Sequence, residues 1–487
     1  MKKLLLAIAI CVLAILSCTP KSQPAVATTD NNPLKEWQGL KYGMFIHFGL
    51  YSVAGGIWNG KQIMNHARIP VKDYESLAQG FTAEGWNADS VVLLAKNNGM
   101  KYIVITSKHH DGFNMYHSKV SPYNVVDFTP AKRDVIGELA TACKKHDIAL
   151  GFYYSLPDWH YPQGIQRGEI DSTTNCTQHV NQLYSPLEHI TPELEEYIVT
   201  QLKELLTNYG DILTIWFDMG LVTPEQSKRF RETVKAIQPN CLVSGRIMNN
   251  CGDYLTLPDN GNVAGFTSIA WDNPASLYGT WGYRSWCERP ELSEQISKQL
   301  DRLISTVSHG GVFLLNIGPK GDGSVLEYEK VVLRGIGQWV NLNGEAIYNT
   351  KPSPFVKMPQ GVYITLRDNK LYVINRNRTT VELYGLTNKI NKVYSMLDKT
   401  NIAYSNLSNI LTFNPLSDVT VIEFEGNIDV INPQVALCGS RYILTEDNGI
   451  THSAFDAHGY LTTQSNSFKT WSLRDMPKGI YKITIEY

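Results

Sequence analysis

The sequence predicts an α/β protein, a (β/α)8-like TIM barrel followed by an antiparallel β-sandwich. Three observations lead there. From Trp37 to about Asn349, short apolar runs alternate with amphipathic stretches of helical period, the pattern of βα units on a parallel sheet. No glycine-rich phosphate loop follows the first apolar run, which argues against an open doubly wound sheet. After NLNGEAIYNT the chain changes to short strands separated by turn residues, as a sandwich requires.

Seven runs read as barrel strands: GMFIHFG (43–49), KYIVITS (101–107), IALGFYYS (148–155), DILTIWFD (211–218), CLVSGR (241–246), GFTSIAW (265–271) and GVFLLNIG (311–318). Between them NADSVVLLAKNNG, RDVIGELATACKKHD, PELEEYIVTQLKELLTNYG, PEQSKRFRETVKAIQP and LSEQISKQLDRLISTVSHGG read as helices. Thr223-Pro224-Glu225-Gln226 puts Thr at the N-cap, Pro in the first turn and Gln at N3. The sandwich strands are GVYITLRD, NKLYVINRN, TVELYGL, KVYSML, ILTFNPL and VTVIEFEG. The expected division is an export signal (1–18), a linker (19–33), a barrel (34–350), a sandwich (351–431) and a further β-rich segment (432–487). That last segment reads either as part of a third module or as extra strands on the second domain.

With 487 residues, 43% of them hydrophobic, the chain can bury more than one core, since single cores stop growing at roughly 250 to 300 residues. A formal net charge of −2 gives no global field toward nucleic acid or a charged membrane. The start, MKKLLLAIAICVLAILSC, has two lysines, an apolar run and a small residue before Cys18, the layout of an export signal. Ile15-Leu16-Ser17-Cys18 resembles a bacterial lipoprotein signal, which implies a lipid anchor at Cys18; a plain secretory peptide is the alternative. The body is then extracytoplasmic, in the periplasm or on the outer-membrane surface. The polar stretch TPKSQPAVATTDNN reads as a tether. No later run approaches the roughly 20 apolar residues that cross a bilayer. The remaining cysteines, at 143, 176, 241, 251, 287 and 438, form no CxxC pair, so neither a zinc site nor an essential disulfide is expected.

The chemistry concentrates where barrel strands end. Asp218 closes the run ILTIWFD, and a carboxylate there either braces a loop or acts on a ligand at the C-terminal face of the barrel. His47, His109, His110, Asp111, Tyr153, Trp216 and Arg246 stand at or near the ends of the other strands. Imidazoles and a guanidinium donate hydrogen bonds to sugar hydroxyls, and an aromatic face covers the apolar side of a sugar ring. His47 could instead be a satisfied core histidine. The adjacent pair His109-His110 is a poor metal site, because consecutive strand residues point to opposite faces and no third ligand follows at helical spacing.

These stretches resemble glycoside hydrolase family 29, the retaining α-L-fucosidases. The resemblance runs through WQGLKYGMFIHFGLYS (37–52), YIVITSKHHDGFNMYHSKVSPYNVVD (102–127), RDVIGELATACKKHDIALGFYYSLPDWHYP (133–162), IWFDMG (215–220), WGY (281–283), GGVFLLNIGPKGDGSV (310–325) and NGEAIY (343–348), and so spans the first domain. It implies exo-acting release of terminal α-L-fucose from glycans through a covalent intermediate on Asp218, with no cofactor. It further implies fucose contacts from His47, Trp58, His109, His110, Tyr153, Trp216 and Arg246. Near Trp58 the sequence departs from the family, carrying Lys61 and Gln62 where an acidic residue beside an aromatic is common.

The general acid lies on a variable loop in the family, and three candidates stand here. Asp272, in WDNPASLYGTWGY, aligns with the glutamate of a WE-x-C stretch and is the first choice. Asp259, in GDYLTLPDNGN, is the second, and Glu288, in SWCERPEL, the third. The 159–190 segment is expected to face the leaving group. Two rivals remain at this stage: a relative with narrower specificity, for α-1,3/4-branched fucose or a related sugar, and a sugar-binding lipoprotein that has lost turnover.

Overall fold

The computed structural model describes residues 32–62, 71–158, 160–161, 190–218, 222–263, 265–267 and 269–431, with six short strands between 437 and 470. The export signal, Cys18, the tether, Met219-Gly220, Cys176 and most of 159–190 and 432–487 lie outside the described residues.

Eight parallel strands form one curled sheet: β1 (Tyr42–Ile46), β4 (Tyr102–Lys108), β5 (Ala149–Ser155), β6 (Ile212–Asp218), β7 (Leu242–Val243), β8 (Leu255–Thr256), β9 (Trp271–Ser276) and β10 (Val312–Ile317). Their spatial order is β7-β6-β5-β4-β1-β10-β9-β8. The two ends of the sheet meet at a parallel bridge between Ser244 and Tyr254, reinforced by the Asp253 N–H to the Val243 carbonyl at 2.7 Å. The architecture is therefore TIM-like, with a thin seam at β7 and β8. A hairpin, β2 (Ile57–Trp58) and β3 (Lys61–Gln62), is inserted after β1.

The expected strand over 265–271 is not formed: the strand starts where that run ends, at Trp271, and continues through Asp-Asn-Pro-Ala-Ser. The two-residue β8 was also not foreseen. Both differences have one cause. β9 is wholly buried, and its neighbours select its residues by what each must touch inside the barrel, so Asp272, Asn273 and Pro274 replace the β-branched residues that mark strands in a sequence.

Helices cover the sheet, and their starts follow local capping chemistry. Asn87 caps α3 (Ala88–Asn97), Asp134 caps α4 (Val135–His146), and Thr191, followed by Pro, caps α5 (Pro192–Asn208). In α6 (Pro224–Ile237) both halves of the Thr223–Gln226 capping box are present. Two further helices, α7 (Leu292–Ser308) and α8 (Glu327–Asn343), flank β10.

The second region stacks a four-stranded antiparallel sheet, β11 (Tyr363–Arg367), β12 (Lys370–Ile374), β17 (Val419–Phe424) and β14 (Ile390–Ser395), on a three-stranded one, β13 (Val381–Tyr384), β16 (Ile410–Phe413) and β15 (Tyr404–Leu407). Strand alternation gives the larger sheet two apolar faces. Leu371, Val373, Val393, Ile422 and Phe424 pack against the smaller sheet, while Tyr372, Ile374, Tyr394, Val419 and Val421 join the core of the barrel. Polar ties add direction: the Trp339 indole N–H donates to Asp418 at 3.0 Å, and the Tyr372 hydroxyl donates to Glu345 at 2.6 Å. The sandwich thus braces α8 and, where β11 packs on α7, the helix that lies against β10.

Inside the barrel the packing is tight enough to read from a glycine. Gly43 and Tyr102 are ladder partners on β1 and β4, and a methyl placed on Gly43 would overlap the fully buried Tyr102 ring. Gly43→Ala should therefore cost about 1–3 kcal/mol of unfolding free energy, measured by denaturant titration; an unchanged midpoint would show that the Tyr102 ring has room to move.

Candidate active site

The C-terminal ends of the strands surround a cavity of about 180 Å³ lined by Phe45, His47, Tyr51, His109, His110, Tyr153, Trp216, Asp218, Arg246, Asp259, Trp281 and Gly282. That is below the roughly 300 Å³ at which drug-sized pockets begin, so it suits a single small ring. Clefts among the outer helices, such as the one between Asn87 and Lys145, contain neither a strand end nor a histidine.

Asp218 is the last residue of β6 and is almost completely buried. Its Oδ2 accepts from the Tyr153 hydroxyl at 2.7 Å, and its Oδ1 accepts from Arg246 Nη1 at 2.9 Å. Burial pushes this carboxyl up, but Arg246, together with the Tyr153 hydroxyl, outweighs burial and holds it below the ordinary carboxylate range. It is therefore an anion at neutral pH. The second nitrogen of the same guanidinium, Nη2, donates to Asp259, which stands half-exposed on the loop after β8. One arginine thus holds two carboxylates, one deep and one at the mouth.

The floor is a row of stacked groups. His109 lies parallel to Tyr153 (5.3 Å, 9°), Tyr153 lies parallel to Trp216 (5.7 Å, 18°), and the Arg246 guanidinium sits 4.6 Å from the Trp216 ring centre. Phe45 meets Trp216 edge-on at 5.1 Å. Arg246 reaches this position from a 3-10 turn, Gly245–Ile247, that follows β7.

The histidines are neutral, and their partners fix which nitrogen carries the proton. Asn316 donates its amide to the Trp281 carbonyl at 2.7 Å, so its oxygen faces His47 Nδ1 at 2.6 Å and can only accept. His47 Nδ1 therefore carries the hydrogen, and Nε2 is a lone pair. Burial pulls this imidazole down to about 4. Ser155 donates to the Pro157 carbonyl at 3.0 Å, so it accepts from His110 Nδ1 at 2.7 Å, and His110 Nε2 is likewise unprotonated, 3.9 Å from Asp218 Oδ2. Burial lowers both His109 and His110 from the usual imidazole value. His47 and His110 thus offer acceptors rather than the donors expected from sequence.

A family model described as Alpha-L-fucosidase matches residues 11–345. The chain belongs to the α-L-fucosidase family. Tissue alpha-L-fucosidase of Bos taurus is 30% identical over 385 residues, which cover 73% of this chain and 78% of the bovine protein. Among solved structures, alpha-L-fucosidase from Vibrio sp. strain EJY3 superposes with a TM-score of 0.70 at 29% identity, covering 83% of this chain and 74% of that one. Alpha-L-fucosidase isoenzyme 1 from Paenibacillus thiaminolyticus gives 0.69 at 27% identity, covering 81% and 99%. The chain is accordingly a glycoside hydrolase with the family's barrel and sandwich.

Of the residues that the fucosidase resemblance singled out, His47, His109, His110, Tyr153, Trp216, Asp218, Arg246 and Asp259 share the cavity wall. Asp272 does not. It is the second residue of β9, level with Val312 at the start of β10, and four strand positions before the cavity end, roughly 13 Å along the strand. Its Oδ2 accepts from the Trp216 indole N–H at 2.9 Å, beneath the floor, which removes it as a proton donor to a sugar in the cavity. The expectation failed because 265–271 was read as the strand, which put Asp272 just past its end. Glu288 is exposed and outside the wall.

Trp58 also lies off the wall, in the β2–β3 hairpin, where it packs half-buried against the main core. The hairpin is turned toward the 283–286 loop, with Ser285 N–H on the Gly55 carbonyl at 2.8 Å and the Trp286 indole on the Gly56 carbonyl at 3.2 Å. Asp111 accepts from the Tyr74 hydroxyl at 3.0 Å and the Phe113 N–H at 3.1 Å, a bracing role outside the cavity. Sequence reasoning missed Phe45, Tyr51 and Trp281 as wall residues. Trp281 was within reach, since WGY is among the matching stretches. Cys143, Cys241, Cys251 and Cys287 are free thiols.

Two measurements follow for this fucosidase. Asn316→Leu should raise KM for an aryl α-L-fucoside about tenfold with kcat nearly unchanged, because losing one buried hydrogen bond to His47 costs roughly 1–3 kcal/mol. In the unmodified protein KM should be flat between pH 5 and 7 and rise as pH falls through about 4, where protonation of His47 removes its Nε2 lone pair; a KM that is flat down to pH 3 would contradict the acceptor role.

Proposed function

We propose that the cavity binds one terminal α-L-fucosyl residue of a glycan, with Asp218 as nucleophile and Asp259 as general acid and base. One observation carries this reading: Arg246 grips Asp218 with one terminal nitrogen and Asp259 with the other. Retaining glycosidases need two carboxyl groups about 5 to 5.5 Å apart, and carboxylates sharing a guanidinium stand at close quarters.

In the first step an Asp218 oxygen attacks the anomeric carbon, the glycosidic C–O bond breaks, and the departing oxygen takes the proton of Asp259. Asp259 is on a loop and half-exposed, so as substrate enters it can leave the guanidinium, take up a proton from solvent and meet the glycosidic oxygen as the acid. In the second step Asp259 accepts a proton from water, the water oxygen bonds to the anomeric carbon, and the ester to Asp218 breaks with its electrons returning to the carboxylate. Net inversion happens twice, and configuration is retained.

The other wall residues bind the sugar. The lone pairs at Nε2 of His47 and His110 accept from ring hydroxyls, and Tyr153, Trp216, Phe45 and Trp281 offer faces to its apolar side and methyl group. Tyr153 has a second task, since burial and the neighbouring carboxylate keep its hydroxyl protonated and donating to Asp218. The substrate is a fucosylated oligosaccharide or glycoconjugate. A sugar-binding protein without turnover is not favoured, because Asp259 supplies the second carboxyl that such a protein would lack. The N-terminal pattern supports export, lipidation at Cys18 and residence in the periplasm or at the outer-membrane surface.

Asp218→Ala should lose activity by about 10³-fold or more on both an aryl α-L-fucoside and natural fucosylated trisaccharides. Asp259→Ala should lose mainly the trisaccharides, whose leaving groups need a proton, and azide should rescue it by attacking the ester on Asp218, giving α-fucosyl azide with the configuration retained. If azide rescues Asp272→Ala instead, the acid assignment is wrong. Cys18→Ser should move the protein from the membrane fraction to the soluble extract; no change would leave a plain secretory signal.

A further inference from the structure

Asp272 has no place in the chemistry above, yet it is a carboxyl group buried in the barrel interior among Tyr102, Tyr254, Val312 and Trp216. Burial of an acid costs free energy unless a partner compensates, and the partner shown is specific: the indole N–H of Trp216 donates to Asp272 Oδ2 at 2.9 Å. Trp216 is the centre of the stacked floor. Arg246 lies over its ring at 4.6 Å and Tyr153 stacks with it at 5.7 Å. These two are the donors to the two oxygens of Asp218, at 2.9 and 2.7 Å.

We infer that Asp272 is a positioning residue: by fixing the rotation of the Trp216 indole from below, it sets the ring against which Arg246 and Tyr153 rest, and so the aim of Asp218. An indole is held in its plane by packing, but packing does not distinguish well between the two ways a flat ring can be turned about χ2. A buried acceptor on one side does, because a misplaced ring would leave both the N–H and the carboxyl without each other. The neighbouring contacts agree with this arrangement. Phe45 abuts the ring edge-on, and Thr256, the ladder partner of Asp272 on β8, fixes the strand that carries the acceptor. Burial, moderated by Trp216, pushes the Asp272 carboxyl up to about 6, and its role as acceptor survives in either protonation state through the unprotonated oxygen.

This inference rests on Asp218 being the nucleophile and Asp259 the acid, and the test separates the two. The full chain carrying Asp272→Leu, which removes the acceptor, should lose kcat by about 10²-fold with KM within about threefold. The loss should be equal for aryl fucosides with good and poor leaving groups and should not be rescued by azide. Asp272→Asn, whose amide oxygen still accepts from the indole, should regain kcat to within about threefold of the parent. Trp216→Phe, which keeps a flat ring but removes the donor, should show a comparable loss, and adding Asp272→Leu to it should cost little more. If Asp272→Leu and Asp272→Asn are both fully active, the positioning role is overturned while the reading of Asp218 and Asp259 stands. If both are equally impaired, with losses that grow for poor leaving groups and are rescued by azide, Asp272 is the acid and both readings fall. Should Asp272→Leu fail to fold, the pair Asp272→Asn and Trp216→Phe decides: the inference requires the first to be active and the second to be slow, and any other result overturns it.

Discussion

The site depends on one planar cation. Arg246 touches both Asp218 and Asp259, and its guanidinium geometry dictates how far apart and at what angle two like charges can be held. Without it the two carboxylates would repel, and burial would drive the deeper one toward its neutral form. A lysine could supply the charge but not the fork. The surroundings of Arg246 follow from this demand: an aromatic face beneath it, a short 3-10 turn that lets it leave β7 sideways, and a thin barrel seam at β7 and β8 that gives the Asp259 loop access to the mouth.

The seam also explains what could and could not be read from the chain. Strong strands such as TIWFD and YIVITS announce themselves by β-branched and aromatic residues, so the places of Asp218, His109, His110 and Tyr153 followed directly from the sequence. The seam strands carry no such mark. Two residues of β7, two of β8 and the polar, proline-containing β9 have interior contacts rather than propensity as the reason for their sequence. One misplaced strand then moved Asp272 from below the floor to the rim. The error was one of register along a strand, about four positions, and no property of the side chain itself could have exposed it. The tautomers of His47 and His110 were hidden for a different reason, since they are set by Asn316 and Ser155, which are distant in sequence or act through a third group.

The sandwich adds stiffness to the opposite wall. Because its larger sheet contributes one face to its own core and the other to the barrel core, the two regions share side chains rather than merely touching. The helix α7, on which β11 packs, also lies against β10, the strand that carries Asn316. Asn316 in turn holds His47 and, at its backbone carbonyl, Trp281 of the cavity wall. A β-rich appendage without any residue on the cavity wall therefore still bears on the precision of the site, through a contiguous path of packed and hydrogen-bonded groups.

Two buried aspartates in one barrel illustrate how environment divides labour. Burial acts on both in the same direction, yet Asp218 is held below the ordinary range because Arg246 and Tyr153 compensate it, while Asp272, compensated chiefly by the neutral Trp216 indole, is pushed up to about 6. A rule that seeks the raised carboxyl as the proton donor would choose Asp272. Geometry overrules it, because an acid must reach the oxygen that it protonates and Asp272 has Trp216 between itself and the cavity. What the raised value does reveal is that the barrel tolerates a costly group at that point, and the hydrogen bond that offsets the cost is with the ring on which the nucleophile's two donors rest.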